Sequence, residues 1–179
     1  MMITITPAGP ADLPAIMALE QAGFAAAERW SEISWRDELT APGRITLAAV
    51  IHSPTAELSE MSSPPAQLSS DKSEVLGVVV MRVTGEVADL HRIVVAADQR
   101  RLGVGRRLLA AGMEAVREAG VRSILAEVRF DNEAAIELYQ RAGFEQLGAR
   151  NDYYGPGKHA LILKLYDLDL RPAAAGKES

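Results

Sequence analysis

The chain has 179 residues, of which 48% are hydrophobic and 24% are charged, a size and composition typical of one globular domain rather than two. A formal net charge of −5 disfavours a general nucleic-acid or anionic-membrane binder, because phosphate contacts need a basic surface. The absence of cysteine excludes disulfides, thiolate metal sites and a covalent acyl-cysteine step.

The sequence also lacks signals of export and of metal binding. Its N-terminus has neither the basic flank nor the long apolar run of a signal peptide, and no stretch has the apolar length needed to span a bilayer. We therefore expect a cytoplasmic protein with no membrane partner. His52, His91 and His159 lack metal-ligand spacing, so no metal site is expected.

The first half of the chain predicts short strands and helices. Residues 3–5 are typical of a strand, and a Gly-Pro-Ala-Asp sequence opens a helix over 9–24 with apolar positions at helical spacing. A second short helix is predicted over 35–39. The β-branched runs 45–51 and 75–83 predict two neighbouring strands.

A serine-rich segment separates these two strands. Residues 53–73 hold seven serines and three prolines, a composition that buries too little apolar surface to offset the entropy of ordering. We predict a disordered hairpin insertion within a single domain over 1–170, because the residues before it are too few for a separate core. The alternative is a linker between two domains. Residues 171–179 are predicted to form a disordered tail.

Residues 89–95 alternate as a strand does, which predicts Leu90, Arg92 and Val94 on one face and the intervening side chains on the other. From Val104 the pattern becomes helical, with an apolar stripe along one side. We expect this helix to pack on the sheet.

The last third of the chain predicts a strand, a helix and a hairpin. Residues 123–128 form the strand, and Asp131-Asn132 is the expected N-cap of a helix that stops at Gly143. Residues 146–154 and 159–165 flank a Gly-Pro-Gly link, which predicts an antiparallel hairpin. The order of elements predicts an α+β fold with mixed strand directions.

The run from Arg100 to Arg106 lies between a predicted strand and a predicted helix and is a candidate phosphate cradle. Gly103 and Gly105 lack the side chains that would block a diphosphate, and the helix start supplies unpaired N–H groups and the positive end of its dipole. Arg100, Arg101 and Arg106 add positive charge. Two glycines before a helix are also typical of an ordinary tight turn, so only the surrounding motifs can distinguish a phosphate cradle from such a turn.

A second motif, Asn-x-x-Ala-x-x-Leu-Tyr-x-x-x-Gly-Phe over 132–144, follows about thirty residues after the first, which is Arg-x-x-Gly-x-Gly over 100–105. Both motifs in this order, on a strand–loop–helix–strand–helix pattern, resemble the GCN5-related N-acetyltransferases (GNAT superfamily). The resemblance covers nearly the whole chain.

Within that superfamily, three further sequences resemble the RimI-type ribosomal-protein-alanine N-acetyltransferases. They are Leu-Ala-Glu-Val-Arg over 125–129, Arg-Trp-Ser over 29–31 and Asn-Asp-Tyr-Tyr over 151–154. The chain departs from this type in the long 53–73 insertion and in Arg29, where such proteins often carry proline.

The resemblance implies an α/β/α sandwich of the GNAT type. Its mixed, mostly antiparallel sheet would be splayed between the central strands 89–95 and 123–128, with helices on both faces and acetyl-CoA in the opening. Backbone amides of Ile93, Val94 and Val95 would bind the pantetheine and polarise the thioester carbonyl. The diphosphate would be held by Arg100, Arg101, Leu102, Gly103, Val104, Gly105 and Arg106, and the pantetheine arm by Asn132 and Tyr139.

Acetyl transfer to an amine needs a neutral nucleophile and a proton for the departing thiolate. With the resemblance, Glu127 is the expected general base and Tyr139 the expected general acid. Strand alternation puts Glu127 on the face opposite Ile124, Ala126 and Val128; the alternative is an ordinary exposed strand carboxylate. A phenol with an ordinary pKa of about 10 is protonated at neutral pH, and the alternative for Tyr139 is core packing.

An α-amine with a pKa of about 8 is roughly one-tenth neutral at pH 7, whereas a lysine amine near 10.4 is neutral only about once in 2,500. The resemblance implies the N-terminal alanine of a ribosomal protein as acceptor, bound near Trp30, Tyr153 and Tyr154, although these rings are equally typical of packing. We expect a monomer or weak homodimer without direct nucleic-acid contact. Two alternatives remain: acetylation of a small amine, polyamine or lysine side chain, and a non-catalytic acetyl-CoA-binding interaction module.

Overall fold

The computed structural model describes residues 2–52 and 73–170. The elements in chain order are β1 (Ile3–Pro7), α1 (Leu13–Gly23), α2 (Glu32–Thr40), β2 (Arg44–His52), β3 (Ser73–Thr84), β4 (Val87–Val95), α3 (Val104–Glu118), β5 (Ser123–Arg129), α4 (Glu133–Arg141), β6 (Glu145–Arg150) and β7 (Ala160–Leu165). The predicted insertion, apart from Ser73 at the start of β3, and the predicted tail lie outside the described residues. None of the helices in the described part is both long and apolar enough to cross a bilayer.

The seven strands form one sheet in the order β1-β2-β3-β4-β5-β7-β6. Every neighbouring pair is antiparallel except β4 with β5, which is parallel. The parallel register runs from Val87 opposite Ser123 to Leu90 opposite Ala126 and ends there, so the two strands diverge beyond these residues. The predicted mixed, mostly antiparallel sheet that is splayed between its central strands is confirmed.

Helices cover both faces of this sheet because β3, in its centre, is apolar on both sides. Val78 and Val80 pack in a core with Trp35 of α2 and with side chains of α1. Val79 and Met81 point the other way, into the larger core under α3 and α4. The sandwich therefore has α1 and α2 on one face and α3 and α4 on the other, as the resemblance implies.

Helix α3 is fixed by its two ends and by one buried stripe. Gly103 is its N-cap, with a left-handed φ of 84° that suits glycine. The predicted apolar stripe is buried, and Gly112 within it allows close packing, since a β-carbon there would lie 2.8 Å from Cε of Met81. Gly120, with φ 87°, follows the helix end.

Strand β4 contains a β-bulge that the sequence prediction missed. In the register with β3, His91 is the extra residue between Leu90 and Arg92. Leu90 consequently packs in the core under α3, whereas Val94 packs in the core with α1 and α2, and the Arg92 guanidinium lies on that same side. The predicted common face for Leu90, Arg92 and Val94 was wrong, because one extra residue inverts the alternation.

The predicted C-terminal hairpin is confirmed as the antiparallel pair β6–β7, but its first strand is shorter than expected. It ends at Arg150, because Asp152 adopts a left-handed φ of 53° and its Oδ1 accepts a hydrogen bond from the Gly157 amide at 2.6 Å. Tyr153 and Tyr154 therefore lie in the connecting turn and not in a strand.

Candidate active site

A cavity of about 820 Å³ lies between the end of β4, α3 and α4, beyond the point where β4 stops pairing with β5, and its volume is in the range of cofactor sites. Most of the predicted cofactor residues line it: Ile93, Val94, Val95, Arg100, Arg101, Gly103, Gly105, Arg106 and Asn132. The motif that follows β4 and the motif that opens α4 thus meet around one cavity.

The glycine loop lines one side of this cavity. Arg101 and Gly103 both have left-handed backbones, with φ of 66° and 84°, so the loop turns sharply before α3 begins. A β-carbon on Gly105 would lie 3.7 Å from Cγ2 of Val95 and 3.6 Å from Cδ2 of Leu138. A side chain longer than a methyl group at this position would occupy the space between β4 and α4.

Positive charge concentrates along the lining. Arg100, Arg101, Arg106 and Arg141 are its arginines, against one glutamate, Glu137, which pairs with Arg141 at 2.6 Å. Nε of Arg100 donates to the Val95 carbonyl at 3.1 Å, which folds this side chain back over the end of β4. The balance favours an anionic ligand.

The end of β4 directs backbone amides into the opening. The Ala96 amide donates to the Leu76 carbonyl at 2.8 Å, towards β3. Because successive residues of a strand point their N–H groups to opposite sides, the amides of Val95 and Ile93 point away from β3. On that side the register with β5 has already ended at Leu90, so these amides face the cavity.

Three predicted cofactor residues do not line the cavity. The Leu102 side chain is 67% exposed at the loop tip, Val104 is buried in the core, and Tyr139 belongs to the core beside the cavity wall. Asn132 does line it, but Oδ1 of Asn132 accepts the Ala135 amide at 3.2 Å as the helix cap. Only its side-chain nitrogen is then directed to bind a carbonyl of a ligand.

The lining also includes residues that we did not predict. They are Gly23 and Phe24 at the end of α1, Leu109, Ala110 and Met113 on α3, and Ala134, Ala135, Glu137, Leu138, Arg141 and Ala142 on α4. The lining residues on α4 follow Asn132 at helical spacing, so the sequence pattern could have predicted them once Asn132 was placed at the cavity. The end of α1 carries no such signal, because its approach depends on the fold.

Glu127 lies on the face of β5 that is covered by α1 and α2, since Ile124, Ala126 and Val128 are buried on the other face. Oε1 of Glu127 is 2.8 Å from Nη1 of Arg150. A hydrogen bond to Glu127 is the main cause that raises the pKa of the Tyr153 hydroxyl. The carboxylate is therefore held by a cation and a phenol on one face of the sheet.

Tyr139 is 5% exposed, and its ring lies 5.6 Å from that of Phe144, which agrees with a packing role. Burial raises the pKa of its hydroxyl well above the usual 10, Tyr154 raises it further, and Arg92 lowers it. The hydroxyl stays protonated at neutral pH.

The predicted acceptor residues lie on the Glu127 side of the sheet. Trp30 packs 5.2 Å from Trp35, ring centre to ring centre, and is half-buried. Tyr153 is 51% exposed and meets Tyr154 edge to face at 5.0 Å. Burial first, and then Glu127, raises the pKa of Tyr154. Across residues 2–52 and 73–170, no group of three or more His, Asp or Glu side chains has the geometry of a metal site.

Comparisons with known proteins match this architecture. The bS18-alanine N-acetyltransferase of Escherichia coli K12 is 33% identical over 85 residues, and an N-alpha-acetyltransferase of Sulfurisphaera tokodaii is 31% identical over 103 residues. These alignments cover 48% and 50% of this chain, and 57% and 62% of the two relatives, less than two thirds of either.

Solved structures are similar over more of the chain. The E. coli ribosomal-protein-S18-alanine N-acetyltransferase is 25% identical at a TM-score of 0.72, over 99% of this chain and 100% of that one. Arabidopsis thaliana NAA60 in complex with acetyl-CoA shares the fold at a TM-score of 0.74 and 15% identity, over 92% of this chain and 98% of that one. The sequence profile of the Acetyltransferase (GNAT) family matches residues 27–144. The chain belongs to the Acetyltransferase (GNAT) family.

Proposed function

We propose that the protein is an acetyl-CoA-dependent N-acetyltransferase whose acceptor is a protein N-terminal α-amine, the N-terminal alanine of a ribosomal protein. One observation carries the proposal: a cavity at the end of β4 is lined by a glycine loop and arginines, and Glu127 follows the residues of β5 that pair with β4. Donor and acceptor would thus approach the gap between these strands from opposite faces.

The residues present fit acetyl-CoA, which supplies the acetyl thioester when bound. The Gly103–Gly105 turn and the start of α3 offer backbone N–H groups to a diphosphate, and Arg106 adds charge beside them. The absence of a side chain at Gly105 leaves room between Val95 and Leu138 for the pantetheine arm. The amides of Ile93 and Val95 point into the gap and would stabilise negative charge that develops on the carbonyl oxygen.

On the acceptor side, Glu127 would accept a proton from the incoming amine, directly or through water, while Arg150 keeps the carboxylate oriented. Tyr139 would donate its phenolic proton to the thiolate as the new amide bond forms and the thioester bond breaks. Burial keeps this phenol protonated, because it disfavours the charged form. No covalent enzyme intermediate is needed in this scheme.

Tyr153 and Tyr154 are the expected walls for the acceptor's first residue, since both lie next to Glu127. An N-terminal amine is a suitable acceptor for a single carboxylate base, because roughly one-tenth of it is already neutral at pH 7. The N-terminal acetyltransferases of E. coli and Sulfurisphaera tokodaii, which are similar in sequence, support this acceptor class.

The test is an acetylation assay with the purified protein, acetyl-CoA and matched peptides, read by mass spectrometry. One peptide begins with a free alanine and contains lysine, and its control has the same sequence with a blocked N-terminus. We expect one acetyl group on the free α-amine and none on the blocked peptide. Incubation with a ribosomal extract then identifies the natural N-terminus.

The alternatives give different results in the same assay. Acetylation of the blocked peptide, or of a polyamine but neither peptide, would assign the protein to lysine or small-amine acetylation. Binding of acetyl-CoA by calorimetry without transfer to any acceptor would indicate a non-catalytic module. Absence of acetyl-CoA binding would remove the basis of the whole proposal.

A further inference from the structure

A buried ion pair lies on the acceptor side of the sheet, between Glu20 of α1 and Arg92 in the bulge of β4. Glu20 is 0% exposed, and its Oε1 lies 3.4 Å from Nη1 of Arg92. The guanidinium carbon lies 4.0 Å from the centre of the Phe24 ring and 4.4 Å from that of Trp30. The cation is thus held between two aromatic rings, an arrangement that favours it electrostatically.

Both members of this pair also hold the connection between α1 and α2, which we call the α1–α2 segment (residues 24–31). Oε1 of Glu20 accepts the Trp30 amide at 2.7 Å. Nη2 of Arg92 donates to the Glu28 carbonyl at 2.9 Å. The two charges therefore fix the backbone of the segment at two points near its C-terminal end.

The α1–α2 segment lies beside the proposed base. Arg129 is two residues from Glu127 on β5, so the two side chains share a face of the sheet. Arg129 forms an ion pair with the Glu28 side chain of the segment. One side chain therefore spans from the strand of Glu127 to the segment, which makes the segment a wall of the space next to the base.

The ion pair is a poor stabiliser of the fold. Among the described residues, neither Oε2 of Glu20 nor Nε of Arg92 has a hydrogen-bond partner, although both atoms are buried. Burial also lowers the pKa of Arg92, which reports the cost of desolvating the cation. Replacing such a pair with apolar side chains of similar size is often neutral or stabilising. Stability alone does not account for it.

We propose that Glu20 and Arg92 are positioning residues for the acceptor: they hold the α1–α2 segment against β4 in the arrangement that receives the acceptor peptide beside Glu127. The inference rests on the proposed function. Neither residue lines the acetyl-CoA cavity, but Phe24, whose ring packs on Arg92, does, so acetyl-CoA affinity is measured alongside peptide KM. Rigid placement of a binding wall lowers the entropy lost when the peptide binds.

The test uses the double variant Glu20→Leu/Arg92→Met, which removes both charges and leaves neither buried alone. Its matched control is Arg117→Met, which breaks an ion pair with Glu114 on α3, across the sheet. Steady-state kinetics with the alanine peptide, calorimetry with acetyl-CoA, thermal unfolding and amide hydrogen exchange are measured on both variants and on the wild type.

We expect the double variant to unfold within about 5 °C of the wild type, because removal of the desolvated charges offsets the partners lost by the Trp30 amide and the Glu28 carbonyl. Its peptide KM should rise about tenfold, with kcat within about threefold, because preorganisation of the acceptor wall is lost. Acetyl-CoA affinity should change by less than about threefold, since Phe24 is the one residue of 24–31 that lines the donor cavity. Amide exchange in residues 24–31, above all at Trp30, should become about tenfold faster. Arg117→Met should leave peptide KM and this exchange as in the wild type. The single variant Arg92→Lys keeps the positive charge, so its peptide KM should lie between those of the wild type and the double variant.

Unchanged peptide KM, or a fall in kcat at unchanged KM, would overturn the inference. So would unaltered exchange in residues 24–31, since that segment would then be held without the pair. Failure of the proposed function is recognised separately, because it would appear as absence of peptide acetylation by the wild type. The exchange measurement needs no acceptor and still decides whether the pair orders the segment.

Discussion

Nη1 of Arg150 lies 2.8 Å from Oε1 of Glu127, although the strands that carry these residues are not neighbours. Strand β7 lies between β5 and β6, with Ala160 opposite Arg150 and Ile162 opposite Glu127. The guanidinium therefore crosses β7 diagonally, over one face of the sheet. It orients the carboxylate, to which the Tyr153 hydroxyl also hydrogen-bonds.

Replacing Glu127 with Gln should lower kcat about 10²- to 10⁴-fold, the usual contribution of a general base. The amide keeps the size of the side chain and accepts from Arg150, so acetyl-CoA affinity by calorimetry should not change. The matched control is Glu74→Gln, an exposed glutamate on β3. A Glu127→Gln variant with the kcat of the wild type would show that another group accepts the proton.

Replacing Tyr139 with Phe should change the pH dependence of stability. The folded-state pKa of this phenol is raised above the unfolded value of about 10. Its favourable contribution is therefore complete below pH 10 and is lost as the pH rises above it, with a slope of at most about 1.4 kcal/mol per pH unit. Urea unfolding between pH 8 and pH 11 should show a steeper loss for the wild type than for Tyr139→Phe. If the unfolding free energy fell equally steeply with pH in the two proteins, the phenol of Tyr139 would not have the raised pKa of a buried group.

The same variant tests Tyr139 as proton donor. Phe preserves the packing against Phe144 but removes the hydroxyl, so we expect kcat to fall by about 10²-fold while peptide and acetyl-CoA affinities stay the same. A kcat within twofold of the wild type would assign Tyr139 to the core alone.

Local signals predicted the donor side of this site well. Periodicity and capping rules predicted the apolar stripe of α3, the Asn132 cap and the glycines of the loop. Each of these features depends only on residues that are close in sequence. Their convergence on one cavity follows from the parallel placement of β4 and β5, which the motif order indicated.

Long-range relationships were beyond the sequence. The pairing of Glu127 with Arg150 depends on the strand order β5-β7-β6, which no local pattern fixes. The residue types around His91 alternate regularly, so the sequence does not reveal the bulge there. The bulge nevertheless turns Arg92 to the side of the sheet on which it contacts Glu20. The acceptor side was predicted less fully than the donor side for this reason.

Replacing Tyr153 with Ala should raise peptide KM about tenfold, because an exposed aromatic wall next to Glu127 is lost. Tyr166→Ala is the matched control, since Tyr166 is also an exposed tyrosine and its ring packs under Lys164. Acetyl-CoA affinity should be the same in both variants. Equal peptide KM values for the two variants would remove Tyr153 from the acceptor site.

Gly103 and Gly120 provide a paired test of the donor site, because their backbones are almost the same, with φ of 84° and 87°. A β-carbon would meet no atom within 4 Å at either position, so alanine acts through backbone strain and not through a clash. Each variant should lose about 1 kcal/mol of unfolding free energy, the usual cost of a left-handed alanine.

Only Gly103 lines the cavity, at the start of α3. A shift of this N-cap redirects the amides proposed to bind the diphosphate, and the loss of one such charge-assisted hydrogen bond weakens binding about tenfold. Calorimetry should therefore show weaker acetyl-CoA binding for Gly103→Ala and wild-type binding for Gly120→Ala. Equal affinities in the two variants would mean that the loop conformation does not hold the diphosphate, and that the arginines alone attract it.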